Sequence, residues 1–174
     1  YGFSEAYAIN DSGQVVGTAA TARDGGTVTK HAFLWQNGAM SDLGAPDGST
    51  YSKALGINNS GQVVGLYTTS PPFYNLRAIL WQNGTMTDLG VNGIAQAIND
   101  SGQVVGWDSP VGFGTHAFLW QDGVATDLNS VADTSGGWIL QYAWDINNKG
   151  EIVGYGQRDH QIHAFLLNSA LHIK

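Results

Sequence analysis

The ten letters "AINDSGQVVG" occupy residues 8–17 and return unchanged at residues 97–106. Close variants stand at residues 56–65 ("GINNSGQVVG") and 145–154 ("DINNKGEIVG"). Aligned on Ile9, Ile57, Ile98 and Ile146, the copies are 48, 41 and 48 residues apart. A second phrase follows each first one: "HAFLWQNGAMSDLG" from His31, "RAILWQNGTMTDLG" from Arg77, "HAFLWQDGVATDLN" from His116 and a divergent "HAFLLNSALHIK" from His163. Self-similarity at such a period means one supersecondary unit stacked on copies of itself, and it decides the fold before any residue-level argument.

Both phrases predict β-hairpins. In the first, an apolar strand ends at Ile-Asn and a second begins at Gln-Val-Val-Gly, with Asn, Asp and Gly between them to tolerate a left-handed backbone. In the second, an apolar strand meets Asn-Gly or Asp-Gly, the strongest short-range hairpin signal, and the next strand leaves through Asp-Leu. Each repeat therefore supplies four short antiparallel strands, and no segment has the period of an amphipathic helix. The strand "AFLW" (32–35, 117–120) is apolar at every position. A strand with one wet face alternates, so continuous apolarity requires sheets covered on both sides. Four-stranded units of about 40 to 45 residues stacked face to face are the sequence mark of a β-propeller. The expected fold is all-β, a single domain forming a four-bladed β-propeller of four-stranded antiparallel blades, with approximate repeats 1–44, 45–90, 91–129 and 130–174. The alternative is a fragment or half of a larger propeller.

Composition narrows the function classes. The chain carries 14 acidic against 7 scattered basic residues, for a net charge of -7. Such a surface repels phosphate backbones, so nucleic acid is not an expected partner. Cysteine is absent, which removes disulfides, thiolate metal sites and cysteine nucleophiles together. No apolar stretch approaches the roughly 20 residues that span a bilayer, so membrane insertion is not expected. A start at Tyr1 without a signal-peptide pattern reads as a processed or excised piece of a longer precursor.

"INDSGQVVG" followed by "HAFLW" and "DLG" resembles the extracellular HAF-repeat family. The triplet His-Ala-Phe stands at residues 31–33, 116–118 and 163–165, and the second copy departs with Arg77-Ala78-Ile79. The resemblance implies a bacterial, exported or surface-associated protein. It implies no reaction and carries over no catalytic residue.

The repeated hairpin turns are near-copies, whereas the other connections differ: 18–30, 66–76, 107–115 and 155–162 between second and third strands, with 44–52 and 129–141 among the links between repeats. Function tends to reside on individual loops held by a rigid frame. These segments are rich in aromatics, and the expected ligand site comprises Tyr67, Phe73, Tyr74, Trp107, Asp108, Phe113, Trp138 and Tyr155. Aromatic faces stack on the C–H faces of sugars, while carboxylates and amides bind hydroxyls, and the same composition suits a protein hot spot.

Chemical centres are weak. His31, His116 and His163 share one register, but Arg77 breaks the ring, so a strand-edge His bonded to backbone or Asp is the better reading. Asp42, Asp88 and Asp127 recur as its expected partners or as turn caps. The Asn-rich turns hold too few carboxylates for calcium, and His160 and His163 lack a third ligand. No metal and no cofactor are expected. Glycoside hydrolysis uses paired carboxylates, and the chain has only Glu5 and Glu151 besides its Asp residues. The expectation is therefore a non-enzymatic secreted or surface binding module, with a glycan favoured as ligand. The alternatives are a structural subunit of an extracellular or membrane-associated assembly, as a homo-oligomer or within a larger complex, and a glycan hydrolase with an Asp-only site such as Asp108 with Asp133.

Overall fold

The computed structural model describes residues 2–24, 27–69, 75–109 and 114–173. The chain is all-β, with fifteen strands and a single 3-10 turn at Leu128–Ser130 among the described residues. The first sheet is β1 (Ser4–Ile9), β2 (Val15–Asp24), β3 (Thr27–Gln36) and β4 (Ala39–Gly44). The second is β5 (Ser52–Ile57), β6 (Val63–Thr68), β7 (Leu76–Gln82) and β8 (Thr85–Asp88). The third is β9 (Gly93–Ile98), β10 (Val104–Asp108), β11 (His116–Gln121) and β12 (Val124–Asp127). The fourth has three strands, β13 (Trp138–Ile146), β14 (Ile152–Arg158) and β15 (Gln161–Leu167). In each sheet the strands pair antiparallel in chain order.

The expected fourth strand of the last sheet is reduced to one bridge, Leu167 to Ile173. Its turn explains why. Asn168 accepts the N–H groups of Ala170 and His172 on its side chain, and its carbonyl accepts that of Leu171. Asn10 makes the same bonds to Ser12, Gln14 and Gly13. The divergent tail therefore ends in a fifth copy of the first phrase's turn, with Leu171 held at φ 60° where the other copies place glycine.

The second-phrase turns are two-residue hairpins with both central residues left-handed, at Asn37-Gly38, Asn83-Gly84 and Asp122-Gly123, the geometry that Asn-Gly and Asp-Gly favour. The first-phrase turns differ from a two-residue hairpin. Only their glycines (Gly13, Gly61, Gly102, Gly150) are left-handed, and the preceding Asn organises five residues through its side chain.

The sheets stack face to face in chain order. Side chains of "AFLW" and "QVVG" alternate between two interfaces. Val16, Ala32 and Leu34 pack forward onto Ala54, Ile57, Val63, Ile79 and Trp81 of the second sheet. Val64, Ala78 and Leu80 meet Ile98, Val104 and Phe118 of the third. Val105, Ala117 and Leu119 meet Ile146, Ile152, Phe165 and Leu167 of the fourth. The continuous apolarity of these strands is thus explained by cover on both faces. The inner strands pack serially, β1 on β5, β5 on β9 and β9 on β13, and among the described residues no comparable contact joins β13 to β1.

Candidate functional site

Two ladders of polar side chains stitch the first-phrase turns together. Asn10 Nδ2 donates to Asn58 O at 3.0 Å, Asn58 Nδ2 to Asn99 O at 3.0 Å, and Asn99 Nδ2 to Asn147 O at 3.1 Å. One residue further on, Asp11, Asn59, Asp100 and Asn148 alternate acid and amide. The N–H of Asp11 donates to Asn59 Oδ1 at 3.0 Å, that of Asn59 to Asp100 Oδ1 at 2.9 Å, and that of Asp100 to Asn148 Oδ1 at 2.9 Å. Asn59 Nδ2 returns bonds to Asp11 and Asp100, and Asn148 Nδ2 one to Asp100. The backbone N–H of Asn59 and the Asn148 amide hold the Asp100 carboxyl below the ordinary Asp value. All four turns border one shallow depression of about 310 Å³.

The opposite ends of the strands carry paired polar side chains. His31 Nδ1 lies 2.9 Å from Asp42 Oδ2, and His116 Nδ1 lies 2.7 Å from Asp127 Oδ2. Arg77 takes the same place in the second sheet, with Nη2 2.7 Å and Nε 3.0 Å from Asp88. The recurring His/Arg and Asp are thus strand-end partners. Tyr67 Oη donates to Asp88 Oδ2 at 2.6 Å, and Arg77 Nη1 to Asn92 Oδ1 at 2.7 Å. The N–H of Asn92 in turn donates to Asp108 Oδ1 at 3.1 Å. Burial pushes the Asp88 carboxyl up, but the bonds from Arg77, Tyr67 and the Gly90 N–H outweigh it and leave the group below its ordinary value. Burial dominates at Asp108 and raises it.

The expected site residues that the structure describes do not form one platform. Tyr67 and Asp108 belong to the polar network just described. Trp107 packs edge-on against Tyr142, with ring centroids 5.7 Å apart. Tyr142 stacks on Tyr155 at 4.6 Å and on Trp144 at 5.8 Å. Trp138 stands apart, edge-on to His163 at 6.0 Å with the Arg158 guanidinium over its ring. Phe73, Tyr74 and Phe113 lie outside the described residues. Loop placement is corrected for the others. Tyr67, Trp107, Trp138 and Tyr155 all sit within strands, and the expected loop 155–162 is a two-residue hairpin turn at Asp159 and His160. The strands run on because cross-strand pairing continues beyond the shared phrase. Tyr142 and Trp144, which complete the aromatic cluster, were missed. Their signal is two aromatics spaced by two on an inner strand.

His160 is in that turn and His163 is against Trp138, so the pair does not converge, and no cluster of three or more metal-ligating side chains occurs among the described residues. An open groove of about 630 Å³ at the first sheet is lined by Phe3, Ala20, Val28 and Lys30. No helix among the described residues is long and apolar enough to cross a membrane.

The remaining feature is the difference between equivalent residues at the two ends of the stack. Val16, Val64 and Val105 are each 0% exposed under a following sheet, whereas Val153 is 44% exposed. Ala32, Ala78 and Ala117 are buried, and Ala164 is exposed. At the other end, Ile57, Ile98 and Ile146 are at most 9% exposed, whereas Ile9 is 67%. Trp81 is 4% exposed and Trp35 is 38%. Among the described residues, the forward face of the fourth sheet and the rear face of the first thus lack the covering sheet that their equivalents have.

Residues 2–72 match a family described as a protein of unknown function (DUF3466). No curated protein and no solved structure matches the chain.

Proposed function

We propose that the four sheets are blades of a β-propeller and that the chain is a non-enzymatic structural subunit which engages protein through its two end sheets. The observation that carries this reading is the pair of uncovered faces. Val153 and Ala164 on one and Ile9 on the other are exposed where each equivalent residue is buried in the three other sheets. Apolar surface of this kind is stabilised when removed from water, at about 25 cal/mol per Å², and contiguous exposed apolar patches mark interaction sites. Among the described residues β13 and β1 lack the packing that joins each other consecutive pair of inner strands, which favours a part of a larger ring over the closed four-bladed ring. A non-enzymatic role is supported by the loop-side carboxylates, since Asp42, Asp88 and Asp127 are each engaged by a strand-end cation or imidazole. The resemblance to extracellular repeats favours a secreted or surface setting.

Sedimentation velocity over a hundredfold concentration range tests this reading. Mass action toward larger species is expected, and Val153→Glu should suppress it. If the chain stays monomeric throughout and Val153→Glu melts far below wild type, the end faces cover each other within one chain and the reading fails.

A second reading, a glycan-binding surface, is favoured by the cluster of Trp107, Tyr142, Tyr155 and Trp144, whose Trp144 is 44% exposed. Its stacked rings suit sugar C–H faces. On a glycan array, Trp144→Ala should abolish binding while leaving the melting temperature within a few degrees; a blank array removes this reading.

A further inference from the structure

The two ends of the stack differ in more than apolar exposure. The ladders have a direction, because each turn donates forward and accepts from behind. Asn10, Asn58 and Asn99 each donate Nδ2 to the carbonyl of the next Asn. Asn147 at the forward end donates Nδ2 to Glu151 Oε2 and, among the described residues, to no following turn. The N–H groups of Asp11, Asn59 and Asp100 each reach the side-chain oxygen of the next repeat, and among the described residues that of Asn148 makes no such bond. At the rear end stand the matching acceptors. These are the carbonyl of Asn10, which takes Gly13 N–H but, among the described residues, no preceding amide, and the carboxylate of Asp11. One end thus offers donors and the other acceptors.

The alternation adds a second constraint. Acid and amide alternate as Asp11, Asn59, Asp100 and Asn148, and each amide bonds the acids beside it. An amide therefore ends the row, and the residue that continues it is an acid. Asp11 opens the row with an acid. A forward end placed against another forward end would set the backbone donors of both chains on each other and leave the Asn10 carbonyl and Asp11 carboxylate of both chains unmatched, which forfeits the bonds the ladder makes between repeats.

From this complementarity we infer that the occupant of the end faces is a second copy of this chain, joined head to tail, so that two chains close an eight-sheet ring. The inference rests on the assembly reading above and names its partner. In this arrangement Val153 and Ala164 of one chain pack on Ile9, Val15 and Trp35 of its partner. Asn148 bonds Asp11, and Asn147 Nδ2 bonds the carbonyl of Asn10. A head-to-tail junction that turns each chain by half a circle closes with two chains, one two-fold axis making both junctions; any other turn gives a larger ring or a filament. Eight blades lie within the range that propellers occupy, and an even number keeps acid beside amide around the whole row.

Two variants test it by complementation. Val153→Glu spoils the forward face, Ile9→Glu spoils the rear face, and both positions are exposed in the single chain. Light scattering should give twice the chain mass for wild type and once the chain mass for each variant alone. An equimolar mixture should regain a two-chain species, because the intact forward face of one variant meets the intact rear face of the other. Association of either variant alone would mean like ends pair and would overturn the inference. Species larger than two chains would overturn the closed ring and leave the assembly reading standing. A wild-type monomer overturns the second copy. If both variants then melt with wild type, the faces are free for a different partner. If both melt far below it, the chain closes on itself and the assembly reading falls too.

Discussion

Asn10, Asn58 and Asn99 are buried amides that spend every polar atom: Oδ1 on two N–H groups of their own turn, Nδ2 on a Gln side chain and on the next turn's carbonyl. Asn99→Ala removes part-buried hydrogen bonds to backbone groups of two repeats, Ser101 and Gln103 N–H in its own turn and the Asn147 carbonyl in the next, and should cost about 2–4 kcal/mol in chemical denaturation. Asn147→Ala, at the exposed end of the ladder, should cost about 1 kcal/mol or less. Equal costs would show that the ladder adds nothing between repeats. Asp88 and Asp108 carry opposite signs. The folded Asp88 value lies below the unfolded one, so its stabilisation is present above the unfolded Asp value and is lost as pH falls through the lowered one. Asp88→Asn should therefore melt below wild type at pH 7, with the gap closing below about pH 4. The Asp108 value is raised, so its ionisation opposes folding, and Asp108→Asn should melt no lower than wild type at pH 7. The recurring letters marked the Asn, and the pairing of His31 with Asp42 and His116 with Asp127 was legible from their common register. What Asn does was not legible, because its partner lies 41 or 48 residues away and no local turn rule contains it.

Hairpins are where periodicity and turn chemistry spoke most clearly, since both depend on neighbours in the chain. The last glycine of "QVVG" shows the limit of that reading. In the third sheet a register shift between Val105 and Gly106 brings the inner strand so close that a Cβ on Gly106 would lie 1.9 Å from the carbonyl oxygen of Ile94. The same close approach recurs at Gly17, Gly65 and Gly154, so this glycine is kept for space, not for a turn. Gly106→Ala should cost at least about 2 kcal/mol by forcing the two strands apart, and wild-type stability would mean that the bulge is absent in solution. Gly102, left-handed at φ 78°, serves the turn itself, and Gly102→Val should lower the melting temperature by several degrees. Strand ends were the least legible part. Trp107 and Tyr155 read as loop aromatics because the shared phrase stops before them, yet β-pairing carries on. The aromatic cluster consequently lies on sheet surface.

At the scale of the whole fold, the described residues form a stack of four sheets with three filled interfaces and two open ends. Stacking was legible from strands that are apolar at every position. The openness was not, because Val16, Val64, Val105 and Val153 stand in the same phrase, and only the place of each sheet in the stack tells a covered one from an uncovered one. The most direct measurement is the denaturation of Val105→Glu beside Val153→Glu, at a concentration low enough to keep single chains apart. A carboxylate at Val105 is buried between sheets without a partner and should cost at least about 4 kcal/mol or prevent folding. At Val153 it stays in water, and the expected change is within about 0.5 kcal/mol. Equal, severe losses at both positions would mean that the fourth sheet is already covered by the first, and would contradict the open-ended stack on which the proposed assembly depends.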